Sequence, residues 1–290
     1  MSPSGIGQRG RCFGGPEIPV KGPIALGLVC CGLGLVVGCR TPPPESRLAD
    51  GDPRPERLLT ALRIAGDAVP ALRARARVEI RAPDLKIRRP QRLAVARPDR
   101  LRVEIVGLFG QLAAILVADN GIYQLYESGQ RELKEGLVSS SLLWRVARVD
   151  LEPRDAVDLL LGSPRPEPGL QILGALRQGS GGIRFDRVDA QGRVRERYAF
   201  DEQGRLTETE RVNGLGEVLW RARFGAYRAV ARDAGPDSEF AFEMELDFPR
   251  VDGRAKLNFQ QVDLVASLPD ETFKLALPGR KNDPSGTEGR

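Results

Sequence analysis

Residues 72–81 read LRARARVEIR, and every second residue of this stretch is apolar. Successive side chains of a β-strand point to opposite faces of the sheet. The alternation therefore places Leu72 and Ile80, with the apolar residues between them, on one face, and the arginines and Glu79 on the other. This pattern predicts an antiparallel strand with one face on the core and the other in water.

Many further segments alternate in the same way and predict a long series of strands. Short turns separate them, such as Asn120-Gly121, a pair suited to the positive φ of a hairpin turn. Besides residues 72–81, strands are predicted near residues 86–96, 100–106, 111–118, 121–126, 130–135, 183–189, 193–200, 205–213, 217–228, 238–248, 254–265 and 272–277. Short connections pair neighbouring strands antiparallel, and a sheet of this length must curl.

Three helices are predicted beside these strands. The first covers residues 54–66, the second follows the serines that end at Ser141, and the third runs from about Pro153 to Gly162. A loop is predicted over residues 162–169. The predicted fold class is therefore mainly β (α+β), a curved antiparallel half-barrel of about 11–13 strands with a helical lid.

The N-terminus has the plan of a secretory signal, because Lys21 precedes an apolar run over residues 22–38. The run ends in Leu35-Val36-Val37-Gly38-Cys39, which resembles the lipobox of bacterial lipoproteins. That resemblance implies a signal peptide over residues 1–38 and a Cys39 that carries the lipid of the mature protein. An uncleaved membrane anchor and an ordinary signal peptide are the alternatives.

The composition separates the rest of the chain into three parts. Residues 39–54 are rich in proline and charge and predict a tether between the lipid and a folded domain. Residues 55–278 hold the predicted strands and helices and form that domain. Residues 279–290 are polar and predict a disordered tail.

The residue types exclude several classes of chemistry. The chain has no histidine, and its four cysteines all lie in the first 39 residues. The folded domain therefore lacks a histidine-based catalytic site, a cysteine nucleophile and an all-cysteine zinc site. The net charge is +5 without a basic block, which argues against nucleic acid as a partner. We expect a protein that is not an enzyme and uses no cofactor and no metal.

The arginines that alternate along the strands predict a solvated face, with attraction to anionic lipid headgroups as the alternative. Acidic residues near the start of the third helix, including Asp155 and Asp158, are interpreted as favourable to the helix dipole.

The order of elements resembles the LolA/LolB family of bacterial lipoprotein carriers and receptors over residues 55–278. Residues 100–111, RLRVEIVGLFGQ, resemble the family's strand, apolar tip and glycine turn, and residues 119–126 resemble the hairpin that follows. Residues 149–164 resemble the family's second inserted helix. Three further segments resemble the family's closing strands: Phe248-Pro249, residues 256–259 and residues 273–275.

This resemblance implies a specific function. Cys39 favours the membrane-anchored type, LolB, whose apolar cavity accepts the acyl chains of a lipoprotein and releases them into the outer membrane. In LolB an apolar side chain at a loop tip protrudes and helps insertion into the membrane, and the matching residues here are Leu108 and Phe109. The alternative is that Phe109 folds back under the sheet edge.

The candidates for lining such a cavity are apolar residues of the predicted strands and of the second helix. They are Val78, Ile80, Leu93, Val103, Ile105, Ile115, Val117, Leu125 and Trp144. Each of them is equally consistent with an ordinary core position.

The expected protein is a monomeric lipoprotein of the outer membrane that faces the periplasm. Its expected partners are lipoprotein acyl chains or another lipid, the membrane through its lipid anchor, and a LolA-like periplasmic carrier. Two alternatives stay open: a lipid-anchored envelope assembly factor that binds a protein partner, and a carrier of a different lipid. A closed, dry core without a cavity would favour the assembly factor.

Overall fold

The computed structural model describes residues 45–107, 109–130, 132–233 and 235–275. The predicted signal peptide, Cys39, residues 40–44 of the predicted tether and the predicted tail lie outside the described residues. Within the described ranges, no helix is both long enough and apolar enough to cross a membrane.

The described residues form three α-helices and fourteen β-strands. The helices are α1 (Arg54–Ala68), α2 (Leu142–Ala147) and α3 (Pro153–Leu160), all three of them predicted. The strands are β1 (Ser46–Arg47), β2 (Ala71–Ala82), β3 (Leu85–Ala96), β4 (Arg100–Val106), β5 (Leu112–Asp119), β6 (Ile122–Glu127), β7 (Glu132–Leu137), β8 (Gln171–Arg177), β9 (Ile183–Val188), β10 (Val194–Phe200), β11 (Leu206–Val212), β12 (Val218–Val230), β13 (Ser238–Phe248) and β14 (Gly253–Val265).

All fourteen strands belong to one open, curved sheet in which neighbours run antiparallel. The order is β1-β8-β9-β10-β11-β12-β13-β14-β2-β3-β4-β5-β6-β7. Two meanders, β2 to β7 and β8 to β14, join where β14 pairs with β2, and α2 and α3 lie between them in the chain. The turn at Asn120-Gly121 has φ values of +49° and +77°, as predicted. The predicted fold class is confirmed.

The alternation in β2 sets the two faces of the sheet. Leu72, Ala76 and Val78 are buried in the main apolar cluster, which also contains residues of all three helices, whereas the β2 arginines are exposed. We call the face that carries Leu72 the inner face and the opposite one the outer face. The helices thus cover the inner face, as the alternation predicts.

The last described residues cross the outer face instead of forming a strand. The predicted strand at 272–277 is wrong over its described residues 272–275, because Asp270–Phe273 is a 3-10 turn followed by irregular chain. Arginines of β4 hold this segment. Arg100 pairs with Asp270 at 2.9 Å and lies 4.2 Å from the Phe273 ring centroid, and Arg102 donates to the Thr272 carbonyl oxygen at 3.1 Å. Side chains therefore supply the hydrogen bonds that a neighbouring strand would supply.

Two strands of the sheet are not predicted from the sequence. Strand β8 follows the predicted loop. The two-residue strand β1 lies in the predicted tether and pairs with β8. Next to β1, Leu48 is 9% exposed and its backbone N–H donates to the Ala175 carbonyl oxygen. The described end of the tether thus packs on the domain.

Candidate functional site

An apolar cavity of about 260 Å³ lies between the inner face of the sheet and the helices α2 and α3. Its wall consists of aliphatic side chains, without an aromatic ring, and of two polar residues, Gln91 and Glu127. The strands contribute Val78, Ile80, Ile87, Gln91, Leu93, Leu101, Val103, Ile105, Ala114, Leu116, Leu125, Glu127, Met244, Leu246, Ala255 and Leu257. The helical segment contributes Leu143, Val146, Ala147, Val149, Leu151, Ala156, Leu159 and Leu160.

The strand register arranges the wall in rows that become more polar toward one end of the strands. One row across β3 to β6 consists of Leu93, Val103, Leu116 and Leu125. The next row consists of Gln91, Ile105, Ala114 and Glu127. Because β4 ends at Val106, this second row lies directly before the hairpin tip that joins β4 to β5. The polar end of the cavity and this hairpin tip are therefore adjacent.

The structure brings together six of the nine candidate lining residues. Those that line the cavity are Val78, Ile80, Leu93, Val103, Ile105 and Leu125. Their positions in the alternation place them on the inner face.

Three candidates do not line the cavity. Ile115 and Val117 point to the outer face of β5, where they pack in a second apolar cluster with Leu268 and Phe273. On α2, Leu143, Val146 and Ala147 line the cavity because they share one helical face. Trp144 is a neighbour on a different side of α2, half-buried, with the Arg148 guanidinium 5.4 Å from its ring.

Sequence reasoning missed the contribution of β13 and β14 to the wall. Met244, Leu246, Ala255 and Leu257 line the cavity, and they lie on the inner face through pairing of β14 with β2. Their alternation was visible in the sequence. The pairing of β14 with β2 was not visible in the sequence, since residues 72–81 and 254–265 are far apart along the chain.

A buried ion pair fixes α3 over the cavity. Asp158 on α3 contacts the Arg97 guanidinium, which also donates to the Ser163 side-chain oxygen at 2.7 Å. Burial lowers the pKa of Arg97 to about 10, so the group stays charged at neutral pH. Asp158 thus forms an ion pair between α3 and the residue after β3. The interpretation that Asp158 favours the helix dipole is wrong, because it lies near the end of α3 and not at its start.

A second buried network holds the loop after α3 on the inner face. Glu196 lies between Arg187 and Arg211, with an Oε1–Nη1 distance of 2.7 Å to Arg211. The Glu167 backbone N–H donates to Glu196 at 2.9 Å, and Arg187 donates to the Glu167 carbonyl oxygen at 3.0 Å. Trp220 Nε1–H donates to Asp155 of α3 at 3.1 Å. These strand arginines are not part of a solvated face.

The hairpin tip between β4 and β5 exposes Phe109. This side chain is 93% exposed, so it does not fold back under the sheet edge. The Gln111 side chain accepts a hydrogen bond from the Phe109 backbone N–H at 2.9 Å, and Gly110 has a φ of +81°. Leu108 lies outside the described residues. That Phe109 enters a membrane stays a prediction.

No protein-family model and no curated protein match the chain. Several solved structures resemble it. A LolA superfamily protein from Nitrosomonas europaea is 9% identical, with 75% of this chain and 97% of that chain covered and a TM-score of 0.46. A domain described as an outer membrane lipoprotein-sorting protein, from Vibrio parahaemolyticus, is 12% identical, with 75% and 94% covered and a TM-score of 0.49. LprF from Mycobacterium bovis is 10% identical, with 75% and 97% covered and a TM-score of 0.28.

Two of these neighbours have names of the kind that the sequence resemblance implies. The three structures do not distinguish a LolB-type protein from others with this architecture. At these identities and TM-scores, the similarity concerns the fold alone.

Proposed function

We propose that this protein is a lipid-anchored outer-membrane protein that holds a fatty acyl chain in the cavity and helps to insert lipoproteins into the outer membrane. The observation that carries the proposal is the aliphatic cavity under α2 and α3. Its polar end adjoins an exposed phenylalanine at a hairpin tip.

The driving force is the removal of hydrocarbon from water, with no covalent bond made or broken. Burial of a methylene group contributes about 0.8 kcal/mol. Smaller apolar cavities already stay dry and bind apolar molecules. The cavity volume of about 260 Å³ equals the volume of about nine water molecules at about 30 Å³ each, and a methylene group is of similar size. The cavity thus accepts the end of one acyl chain.

The composition of the wall favours a flexible chain over an aromatic ligand. The sheet has aromatic residues, but those of β9 and β10, such as Phe185 and Tyr198, stack on one another. The cavity is lined instead by leucine, isoleucine, valine, alanine and methionine side chains. Such walls adapt to the many conformers of an alkyl chain, and they offer no stacking surface.

The proposal is tested by mass spectrometry of the full-length protein purified gently from membranes. We expect a diacylglyceryl group on Cys39 and bound lipid or lipoprotein. Unacylated protein without bound lipid or lipoprotein would reject the proposal. A bound glycolipid or lipopolysaccharide would instead support the carrier of another lipid.

Phe109→Glu tests the hairpin tip. Burial of a phenylalanine side chain in an apolar phase contributes about 1.5–3 kcal/mol. We therefore expect roughly 10- to 100-fold weaker binding of the unlipidated domain to phospholipid vesicles, measured by flotation, with unfolding unchanged.

Ile64→Glu is the matched control for this test. Ile64 is 62% exposed on α1, away from the hairpin tip, so the same change of charge is expected to leave vesicle binding as in the wild type. Equal vesicle binding by Phe109→Glu and the wild type would show that the tip does not enter the membrane.

A further inference from the structure

Gln91 is the uncharged polar residue in the wall of the cavity. The residue is 6% exposed and belongs to the inner face of β3. Within the described part of the chain, no hydrogen bond joins its side-chain amide to another residue. The amide atoms are not among the fully buried atoms without a partner, so they reach the open space of the cavity, where a polar group of a ligand can form the hydrogen bonds that the described residues do not supply.

The surroundings of Gln91 change in character along the strands. On one side lies the apolar row of Leu93, Val103, Leu116 and Leu125. In the row of Gln91 itself, the strand β6 carries Glu127, whose carboxylate pairs with Lys134 Nζ at 3.2 Å. Toward the hairpin end the hydrocarbon row is therefore followed by a row with a neutral amide on β3 and an ion pair on β6, three strands away.

A hydrocarbon row followed by a row with a neutral amide matches the order of the first two groups in an ester-linked lipid. Such a lipid has an alkyl tail, then a neutral carbonyl group, then a polar or charged headgroup. An amide nitrogen donates to a carbonyl oxygen, and the amide oxygen accepts from a hydroxyl group on the glycerol. A free fatty acid fits less well, because its carboxylate would leave water for a cavity whose described wall contains no lysine or arginine to pair with it.

We infer that Gln91 binds the first carbonyl group of an acyl ester or acyl amide and thereby sets how deeply the chain enters the cavity. The ligand class is a neutral-linked acyl chain, as found in a diacylglyceryl-modified cysteine or in a phospholipid. Plain hydrocarbon and free fatty acid are bound less well. This inference rests on the proposed function, because it places the ligand in the same cavity.

Gln91→Leu tests the inference, since leucine keeps most of the side-chain volume and removes the amide. The probes are a lauroyl monoglyceride, lauric acid and an uncharged apolar fluorescent dye, each titrated against the purified domain. We expect the wild type to prefer the monoglyceride to lauric acid. In Gln91→Leu the affinity for the monoglyceride falls about tenfold, while the affinity for the dye is unchanged or higher.

A matched control is Gln261→Leu, at an exposed position of β14 that does not line the cavity. This variant is expected to bind all three probes as the wild type does. If Gln91→Leu binds the monoglyceride as tightly as the wild type, the role of Gln91 is rejected and the proposed function stands. If the wild type binds neither dye nor monoglyceride, both are rejected.

The source of the acyl chain is resolved by a second pair of probes, a synthetic diacylglyceryl-cysteine peptide and a lysophospholipid. Tighter binding of the peptide, lost in Gln91→Leu, assigns the carbonyl group to lipoproteins. Tighter binding of the lysophospholipid, with the same loss, assigns it to membrane lipid. Either result supports the role of Gln91, and binding of both probes without any loss in the variant contradicts it.

Discussion

Glu196→Gln is expected to lower the free energy of unfolding by about 3–5 kcal/mol, because it breaks a buried ion pair from one side. Glu196 is 2% exposed and contacts both Arg187 and Arg211. Burial alone would lower the pKa of Arg211, but the nearby carboxylates of Glu196 and Asp155 raise it. Without the Glu196 charge, the buried Arg187 guanidinium loses its carboxylate partner, and the half-buried Arg211 keeps only the more distant Glu167 and Asp155. Urea unfolding of the domain measures the effect.

Glu208→Gln on β11 is the matched control. Its side chain is 36% exposed and lies 3.2 Å from Arg223 Nε. Ion pairs that water reaches contribute about 0–1 kcal/mol, so this variant is expected to unfold close to the wild type. If both variants lowered the free energy of unfolding by the same small amount, the network around Glu196 would contribute little to stability.

The position of Glu196 also shows that the face of a β10 residue follows from the sequence, whereas its ion-pair partners do not. Glu196, Tyr198 and Phe200 are alternate residues of β10, and all three are buried. A period of two places them on one face, whereas the charge of Glu196 alone favours an exposed position. The partners Arg187 and Arg211 come from the flanking strands, so only the register of three strands identifies the buried network.

Strands whose two faces differ were predictable, whereas in a strand whose two faces are alike the lining candidates were assigned to the wrong face. In β2 the apolar and charged positions alternate, so Val78 and Ile80 were placed correctly. Residues 112–118 read LAAILVA and are apolar on both sides. Ile115 and Val117 needed knowledge of the outer cluster, which residues near Leu268 complete from much farther along the chain.

The missed strand β8 has the same explanation. Residues 171–177 read QILGALR, with a glycine in the middle and no alternation that marks one face. Its neighbours in the sheet are β9 and the two-residue strand β1. The pairing with β1 joins residues that are more than a hundred positions apart, and such contacts leave no local signal.

The cavity as a whole follows from a similar combination of local and distant order. Inner-face residues of β2, β3, β4 and β6 were visible as a pattern, whereas the wall from β5 and the closing wall from β13, β14 and α3 were not, and the closing wall depends on long-range pairing. The buried pair of Arg97 and Asp158 then fixes α3 at the distance that leaves open space. The volume of the cavity therefore could not be predicted from the sequence.

Ala114→Trp is expected to abolish acyl binding, since the new side chain fills the cavity. Ala114 lies in the wall between Ile105 and Glu127, on the inner face of β5. Roughly nine methylene groups at about 0.8 kcal/mol each would lose their site, so we expect affinity for the lauroyl monoglyceride to fall at least about 100-fold. Lipid bound to the protein from membranes should be lost as well.

Ala113→Trp is the control that separates a filled cavity from a disturbed strand. Ala113 is the preceding residue and does not line the cavity, so its tryptophan is expected to leave the cavity open. Overpacking costs about 1–3 kcal/mol at most sites, and unfolding of both variants shows whether either cost exceeds this range. Loss of binding in Ala114→Trp alone, with both variants folded, locates the acyl chain under α2 and α3. Equal binding by both variants and the wild type would place the ligand elsewhere, because a tryptophan in a cavity of about 260 Å³ leaves no room for a chain.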